Sequence, residues 1–597
     1  MLDRAFKLRF RRRLRLRKHQ VEAIGQQAEY HLERDLLRRL ERLRNVRRFV
    51  AGWLVLLLLL GGCNVVQMRA LGGYYQTLQP VPGGTFTEGM MGSFTNVNPM
   101  YATSGADQAV SRLVFSGLYT YNDKNQLVGD LADGLPAVDA TGTVYTVTLK
   151  KGVTWHDGQK VTIDDILYTY KAIQNADAQS PLNGSWSGIK IAAAGPQSVS
   201  FTLPNPLASF RYSLTNGIVP KHILGDVPMS ELRSAAFNTR QPIGSGPFTW
   251  GALEVMGNSS ADRQQRIALH PFEQYYGGRP KLGGYVFHIY HDQDSLIKAF
   301  NKHEITAISG LDSVPKQLKR DAAVREYNIP YTAAVMTFFR TTDGVLQDVR
   351  VRQALVLATD TKSIIASLGH PAVSVTEPLL KGQVAYNPAY QQAGFNVAAA
   401  KAQLDAMGWT VGKNGIRQKQ GVPLSFQLFA EDTGEYSKVA KQLQDQWRAV
   451  GVDAQLSLQG SDDFQSTLAF HSYDALLYGI SIGIDPDVYA YWASTQADMR
   501  SQNRLNFSEY KSNVADAALE AGRTRLDPQL RAVKYEPFLK SWQEDVPALG
   551  LYQPRLLLIT RGPVFGLDEK YINVPTDRYK NVQNWMIRQR GVSQSEQ

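Results

Sequence analysis

Gly479-Ile480-Ser481-Ile482-Gly483 has the spacing of a nucleophile elbow, in which a serine between two glycines attacks a carbonyl. It follows the strand-like run Tyr473 to Tyr478, as an elbow should. That chemistry needs a histidine later in the chain, and the last of the ten histidines is His471. Asp485-Pro486 then reads as the cap and first position of a separate helix, not as the continuation of an elbow. His288, His291, Asp292 and Asp294 are residue types that hold metals. Tyr285 to Tyr290 alternates as a strand, however, so side chains three apart point to opposite faces. Neither a G-x-x-x-x-G-K-[ST] phosphate loop nor an H-E-x-x-H pair is present. The expectation is a protein that is not an enzyme, with no metal and no cofactor.

What remains is the chemistry of attachment and of binding. Cys63 is the only cysteine, so no intramolecular disulfide is expected. It sits in an apolar run from Phe49 to Val66, about 27 Å long as a helix and of the order of a bilayer core. Leu60-Gly61-Gly62-Cys63 resembles a bacterial lipobox, in which Cys63 is lipidated and becomes the mature N-terminus. The alternative is an uncleaved anchor, because a 48-residue lead is far longer than the basic region of a signal peptide. That lead holds 16 Lys and Arg against 6 Asp and Glu, leaving 49 against 48 for the rest. Of the net charge of +11, the lead therefore carries +10 and the rest +1. The balanced body is not expected to bind nucleic acid. Val21, Ile24, Ala28, Leu32, Leu36, Leu40 and Leu43 recur at helical spacing, which suits an amphipathic helix on anionic headgroups. Basic residues before an apolar run stay cytoplasmic, placing the body outside the cell membrane.

The body is of ordinary globular composition, 43% hydrophobic and 20% charged. Its most ordered stretch is Val144 to Tyr170. Val144, Thr146 and Thr148 alternate with Tyr145, Val147 and Leu149 as a strand does. Lys150-Lys151-Gly152 interrupts, and Trp155-His156-Asp157-Gly158 makes a tight turn. Thr162 then precedes Asp165 by three at the start of a helical run. A threonine accepting backbone N–H groups, with a carboxylate in the first turn, is the expected cap.

Strand, Lys-x-Gly-Val-x-Trp-His-Asp-Gly and capped helix in this order resemble the signature of the family 5 extracytoplasmic solute-binding proteins, receptors of ABC importers. Val219-Pro220-Lys221-His222, Gly244-Ser245-Gly246-Pro247-Phe248 and Asp348 to Leu355 resemble further elements of that family, as does Pro547 to Tyr552. Glycines 244 and 246 are expected at positive φ. The resemblance covers about residues 80 to 590. It implies an α/β, two-lobed Venus flytrap fold with an extra subdomain, preceded here by the membrane helix. Residues 1–48 are then the basic cytoplasmic segment, 49–66 the anchor and 67–84 a linker. Lobe I takes 85–334 and 553–597 with a subdomain near 112–215, and lobe II takes 335–552. Two crossings, near Tyr331 to Val335 and Leu551 to Arg555, serve as hinge.

The implied function is capture of a peptide between the lobes and delivery to ABC permease and ATPase subunits, by a monomeric body. The alternatives are a membrane-anchored sensor or scaffold, or a receptor for nickel, haem or an oligosaccharide, which this family also includes. The resemblance places one wall of the ligand site at Asn98, Tyr101, Thr103, Ser104, Gly105 and Tyr119. It places the other at Tyr478, Gly479, Ile480, Ser481 and Ile482. In the peptide-binding relatives an aspartate three residues before the Asp/Glu-Pro pairs with the peptide amine; here that position is Ile482, and the usual tryptophan is Gly479. Asp485 or Asp487 then replaces the aspartate, or the ligand has no free amine. If Cys63 is lipidated, Cys63→Ser abolishes lipid labelling and blocks cleavage. Mass spectrometry finding unlipidated wild-type chain with residues 1–48 attached decides for the uncleaved anchor.

Overall fold

The computed structural model describes residues 47–72 and 77–592, apart from 258, 260–262 and 502–503. The chain divides into two units, Met1–Gln79 with Gln589–Gln597, and Pro80–Arg588. In the first, helix Arg47–Gly72 contains the apolar run and leaves Leu56, Leu57, Leu58, Leu59 and Leu60 exposed. Among the described residues no helix is long and apolar enough to cross a membrane. The expected amphipathic lead, up to residue 46, lies outside the described residues.

The second unit is built on two sheets. Seven strands run in the order Val324–Pro330, Arg555–Arg561, Ala307–Ser309, Thr85–Met91, Gly284–Tyr290, Gln264–Pro271, Phe248–Met256. Thr85–Met91 is parallel to both its neighbours. Gly284–Tyr290 is buried at all but one residue, as expected of a strand covered on both faces. The second sheet has the order Asp453–Gln459, Ser425–Glu431, Ala475–Ser481, Ala333–Phe339, Ala548–Tyr552. The chain leaves the first sheet at Pro330 and enters the second at Ala333, then returns between Tyr552 and Arg555. These two passages touch. The Tyr331 N–H donates to Pro554 O at 2.9 Å, and Gln553 Nε2 donates to Tyr331 O at 3.0 Å.

The stretch around Val144 forms a smaller four-stranded sheet, Ala137–Val138, Val144–Thr148, Ser198–Thr202, Lys190–Gly195. Tyr145 and Val147 face its core, as the alternation requires. Helix Ile163–Gln174 begins where expected, in a capping box formed by Thr162 and Asp165. The Asp165 carboxylate accepts from the Thr162 N–H at 2.8 Å and from the Thr162 hydroxyl at 3.0 Å. An ionised carboxylate is the stronger acceptor, so it draws the hydroxyl proton to itself.

Three motifs meet beside this sheet. His156 Nδ1 accepts from the Gly244 N–H at 3.1 Å, so the proton lies on Nε2, which donates to Gly246 O at 3.0 Å. His222 Nε2 donates to Asp157 at 2.7 Å. Gly244 and Gly246 are not at positive φ, contrary to expectation. They are glycines because a Cβ at 244 would lie 1.9 Å from Val114 O, and one at 246 would lie 2.6 Å from Leu113 O. The motifs are therefore mutual braces.

Burial pushes the His156 imidazole down to about 4, against smaller upward pulls from Gly246 O and Asp157. A base whose folded pKa is depressed refuses a proton that the unfolded chain accepts. Its contribution to stability is complete above the ordinary imidazole range and is lost as pH falls towards 4. Urea midpoints measured from pH 7 to 4 are expected to fall less steeply for His156→Gln than for wild type. Identical slopes would refute this brace.

Candidate functional site

Thr85–Met91, Gly284–Tyr290 and Ala307–Ser309 in the first sheet, and Ser425–Glu431 and Ala475–Ser481 in the second, end on the side of the two passages, the usual place for a ligand in open α/β sheets. The first wall follows Thr85–Met91. Gln265 clamps Phe94, its amide accepting from the Phe94 N–H and donating to Phe94 O, each at 2.8 Å. Asn98 is fully buried: its Oδ1 accepts from the Met100 N–H at 3.0 Å and its Nδ2 donates to Asn238 at 3.1 Å. It thus shapes the turn that follows. Tyr101 is 5% exposed, and burial pushes its phenol up to about 12 despite Arg233. Tyr119 is fully buried, and burial likewise raises its phenol. Thr103 and Gly105 are exposed. Ser104 caps helix Gly105–Val114, accepting from the Asp107 N–H at 3.0 Å.

The second wall is the end of strand Ala475–Ser481. One side pairs with Ala333–Phe339 along its whole length, whereas Ser425–Glu431 pairs only with Ala475, Leu476 and Leu477. Beyond Leu477 that backbone edge is open. Tyr478 is half-buried, its ring edge-on to Phe507 with centroids 5.3 Å apart. Ile480 and Ile482 are buried and Ser481 is exposed, with Ser481 O accepting from the Tyr491 hydroxyl at 2.6 Å.

Asp485 and Asp487 follow, and both are paired. Asp485 is bound through both oxygens by the buried Arg531, at 2.8 and 2.6 Å. Arg531 Nε donates to Gly522 O at 3.1 Å. Asp487 accepts from Arg523 at 3.2 Å and from the Ser209 hydroxyl at 3.0 Å. Ser209 belongs to the short helical stretch Ala208–Thr215, so this bond ties the wall segment to the smaller subdomain. Among the described residues no hydrogen bond or ion pair joins residues 98–105 directly to residues 478–487.

A part of the cleft carries no motif. Leu311, Asp312 and Ser313 on one side and Gly434, Glu435 and Lys438 on the other enclose about 430 Å³. Glu435 accepts from the Tyr552 hydroxyl at 2.8 Å and from His370 Nε2 at 3.0 Å, while His370 Nδ1 lies 3.1 Å from Pro371 O. Burial alone would raise the Glu435 carboxyl; the bonds from His370 and Tyr552 hold it below its ordinary value. The one sequence signal here is Thr433, which caps helix Gly434–Arg448. A larger cavity of about 690 Å³ lies elsewhere, where Arg112, Asp130, Lys150 and Tyr276 meet. Its buried Asp130 is engaged by the Tyr276 hydroxyl.

A model of the bacterial extracellular solute-binding proteins, family 5 Middle, matches residues 126–501. The oligopeptide-binding protein AppA of Bacillus subtilis is 25% identical over 511 residues, covering 84% of this chain and 92% of its own. The crystal structure of AppA with a nonapeptide superposes with a TM-score of 0.65 at 24% identity, over 85% of this chain and all of that one. The ABC transporter substrate-binding protein CtaP of Listeria monocytogenes gives 0.72 at 23% identity, over 85% and 99%.

Removing one partner of a buried ion pair leaves the other charge uncompensated, at a cost of about 3–5 kcal/mol. Asp485→Asn is therefore expected to lower the unfolding free energy by about that much, and Asp487→Asn by roughly 1 kcal/mol. Urea denaturation decides, and an unchanged midpoint for Asp485→Asn would show that the pair carries no load.

Proposed function

Because the chain belongs to the bacterial extracellular solute-binding proteins, family 5, we propose that it captures linear peptides between its two lobes and hands them to an ABC permease. The observation that carries this is the open backbone edge of the strand beyond Leu477, at the mouth of the cleft. Such an edge binds an extended chain through main-chain hydrogen bonds and tolerates varied side chains. Exposed Thr103 and Gly105 supply the facing segment, with Ser104 held between them by its capping role. Lobe I is residues 85–334 with 553–597, lobe II is 335–552, and the passages at 330–333 and 552–555 are the hinge. A ligand that touches both lobes favours the closed state, which is the form to be delivered. No bond is made or broken.

The same reading tethers a monomeric body to the outer face of the cell membrane. Its support is the basic lead, the apolar run and the exposed leucines of helix Arg47–Gly72. Cys63 is exposed on that helix, in keeping with a lipid attachment, whereas the expected membrane-spanning anchor is not supported, because no described helix is long and apolar enough to cross a membrane. Genes for a permease and an ATPase alongside favour import, and their absence favours a sensor.

Asp485 and Asp487 are engaged with Arg531, and with Arg523 and Ser209, so neither is free for a peptide amine. A charge-assisted bond to that amine contributes about 1.5–3 kcal/mol where it exists. Calorimetry on matched pentapeptides, free and N-acetylated, is expected to give affinities within tenfold, about 1.4 kcal/mol. A larger loss on acetylation would show that a carboxylate does pair the amine. Binding of neither peptide would remove the peptide reading itself.

A further inference from the structure

Tyr436 stands in the first turn of helix Gly434–Arg448, its N–H bonded to the capping Thr433 at 3.3 Å. That turn follows strand Ser425–Glu431 directly and carries the phenol across to the neighbouring strand at Gly479. A Cβ built on Gly479 would lie 2.6 Å from the Tyr436 hydroxyl oxygen but 3.9 Å from its Cζ. The hydroxyl thus occupies the space that a side chain at 479 would need. It makes no hydrogen bond to a described residue, and it is not among the oxygens sealed from solvent.

The phenol is a donor. Burial raises it, and Glu435, Tyr478, Glu431 and Asp312 reinforce that rise. Glu435, next to Tyr436 in the same turn, lines the 430 Å³ space from one side, and Asp312 lines it from the other. A ligand carboxylate at this point would meet the field of Glu431, Glu435 and Asp312, whereas an uncharged carbonyl would not. Gly479 also lies on the strand segment whose edge is open.

Resting on the peptide reading above, we infer that the Tyr436 hydroxyl donates a hydrogen bond to a main-chain carbonyl of the bound peptide, and that Gly479 is free of a side chain to admit that hydroxyl. Tyr436 is then a binding residue, and Gly479 positions it.

The test uses the full-length chain and an equimolar pool of synthetic hexapeptides. Retained peptides are identified by mass spectrometry, and the best retained is titrated by calorimetry. Tyr436→Phe is expected to weaken binding about five- to twentyfold, as for one lost hydrogen bond, with the unfolding midpoint unchanged. Gly479→Ala is expected to weaken it similarly by displacing the hydroxyl. Placed on Tyr436→Phe, Gly479→Ala should cost nothing more, because the methyl then has room. Binding by Tyr436→Phe within twofold of wild type overturns the inference, as does full additivity of the two changes. Either outcome leaves peptide capture standing. A wild-type chain that retains no hexapeptide overturns both.

Discussion

Glu88 is fully buried in the central strand of the seven-stranded sheet, and its charge is met by Arg578, 490 residues further on. Arg578 donates to Glu88 at 2.8 Å and the Tyr579 hydroxyl donates to it at 2.7 Å, with the Tyr285 hydroxyl as a third partner. Burial alone would push the carboxyl up; Arg578 and the hydroxyls hold it below its ordinary value. A buried charge without its partner is among the costliest defects a core can hold. The end of the chain must therefore return to where the body begins. Everything between Ala333 and Tyr552 becomes an insertion joined to the first sheet by two adjacent passages.

The motifs around Trp155, Val219 and Gly244 are occupied with one another. His156, Asp157, His222, Gly244 and Gly246 brace one another, and Asp165 reaches the Lys221 N–H at 2.8 Å as well as its own helix end. Their residue types follow from buried hydrogen bonds and close backbone approaches, requirements that hold whatever ligand is bound.

Within the wall, polar groups divide into those committed to the protein and those left over. Asp485, Asp487 and Glu435 have partners, and Asn98 shapes its own turn. Among the described residues, the side of the strand beyond Leu477 has no neighbouring strand, and the Tyr436 hydroxyl has no hydrogen-bond partner. Main-chain recognition is what such a remainder can offer. The Ser209–Asp487 bond adds a direct link between the stretch Ala208–Thr215 and the segment that follows strand Ala475–Ser481.

The amino-acid sequence determined what depends on near neighbours. The alternation of Tyr145 and Val147 and the helix start after Thr162 are set by residues within a few positions, and local geometry enforces them. Even there, which group donates at the cap was decided by the relative strength of two acceptors. Only the tertiary structure decided that Asp485 belongs to Arg531, Asp487 to Ser209, Glu88 to Arg578, and the space over Gly479 to Tyr436. Nor could the sequence show that Gly244 is glycine for want of room against Val114 and not for its φ. Each of these depends on segments brought together from 43 to 490 positions apart, for which no periodicity or spacing carries a signal. A charge or a hydroxyl in a sequence is a capacity to bond, and packing selects its partner.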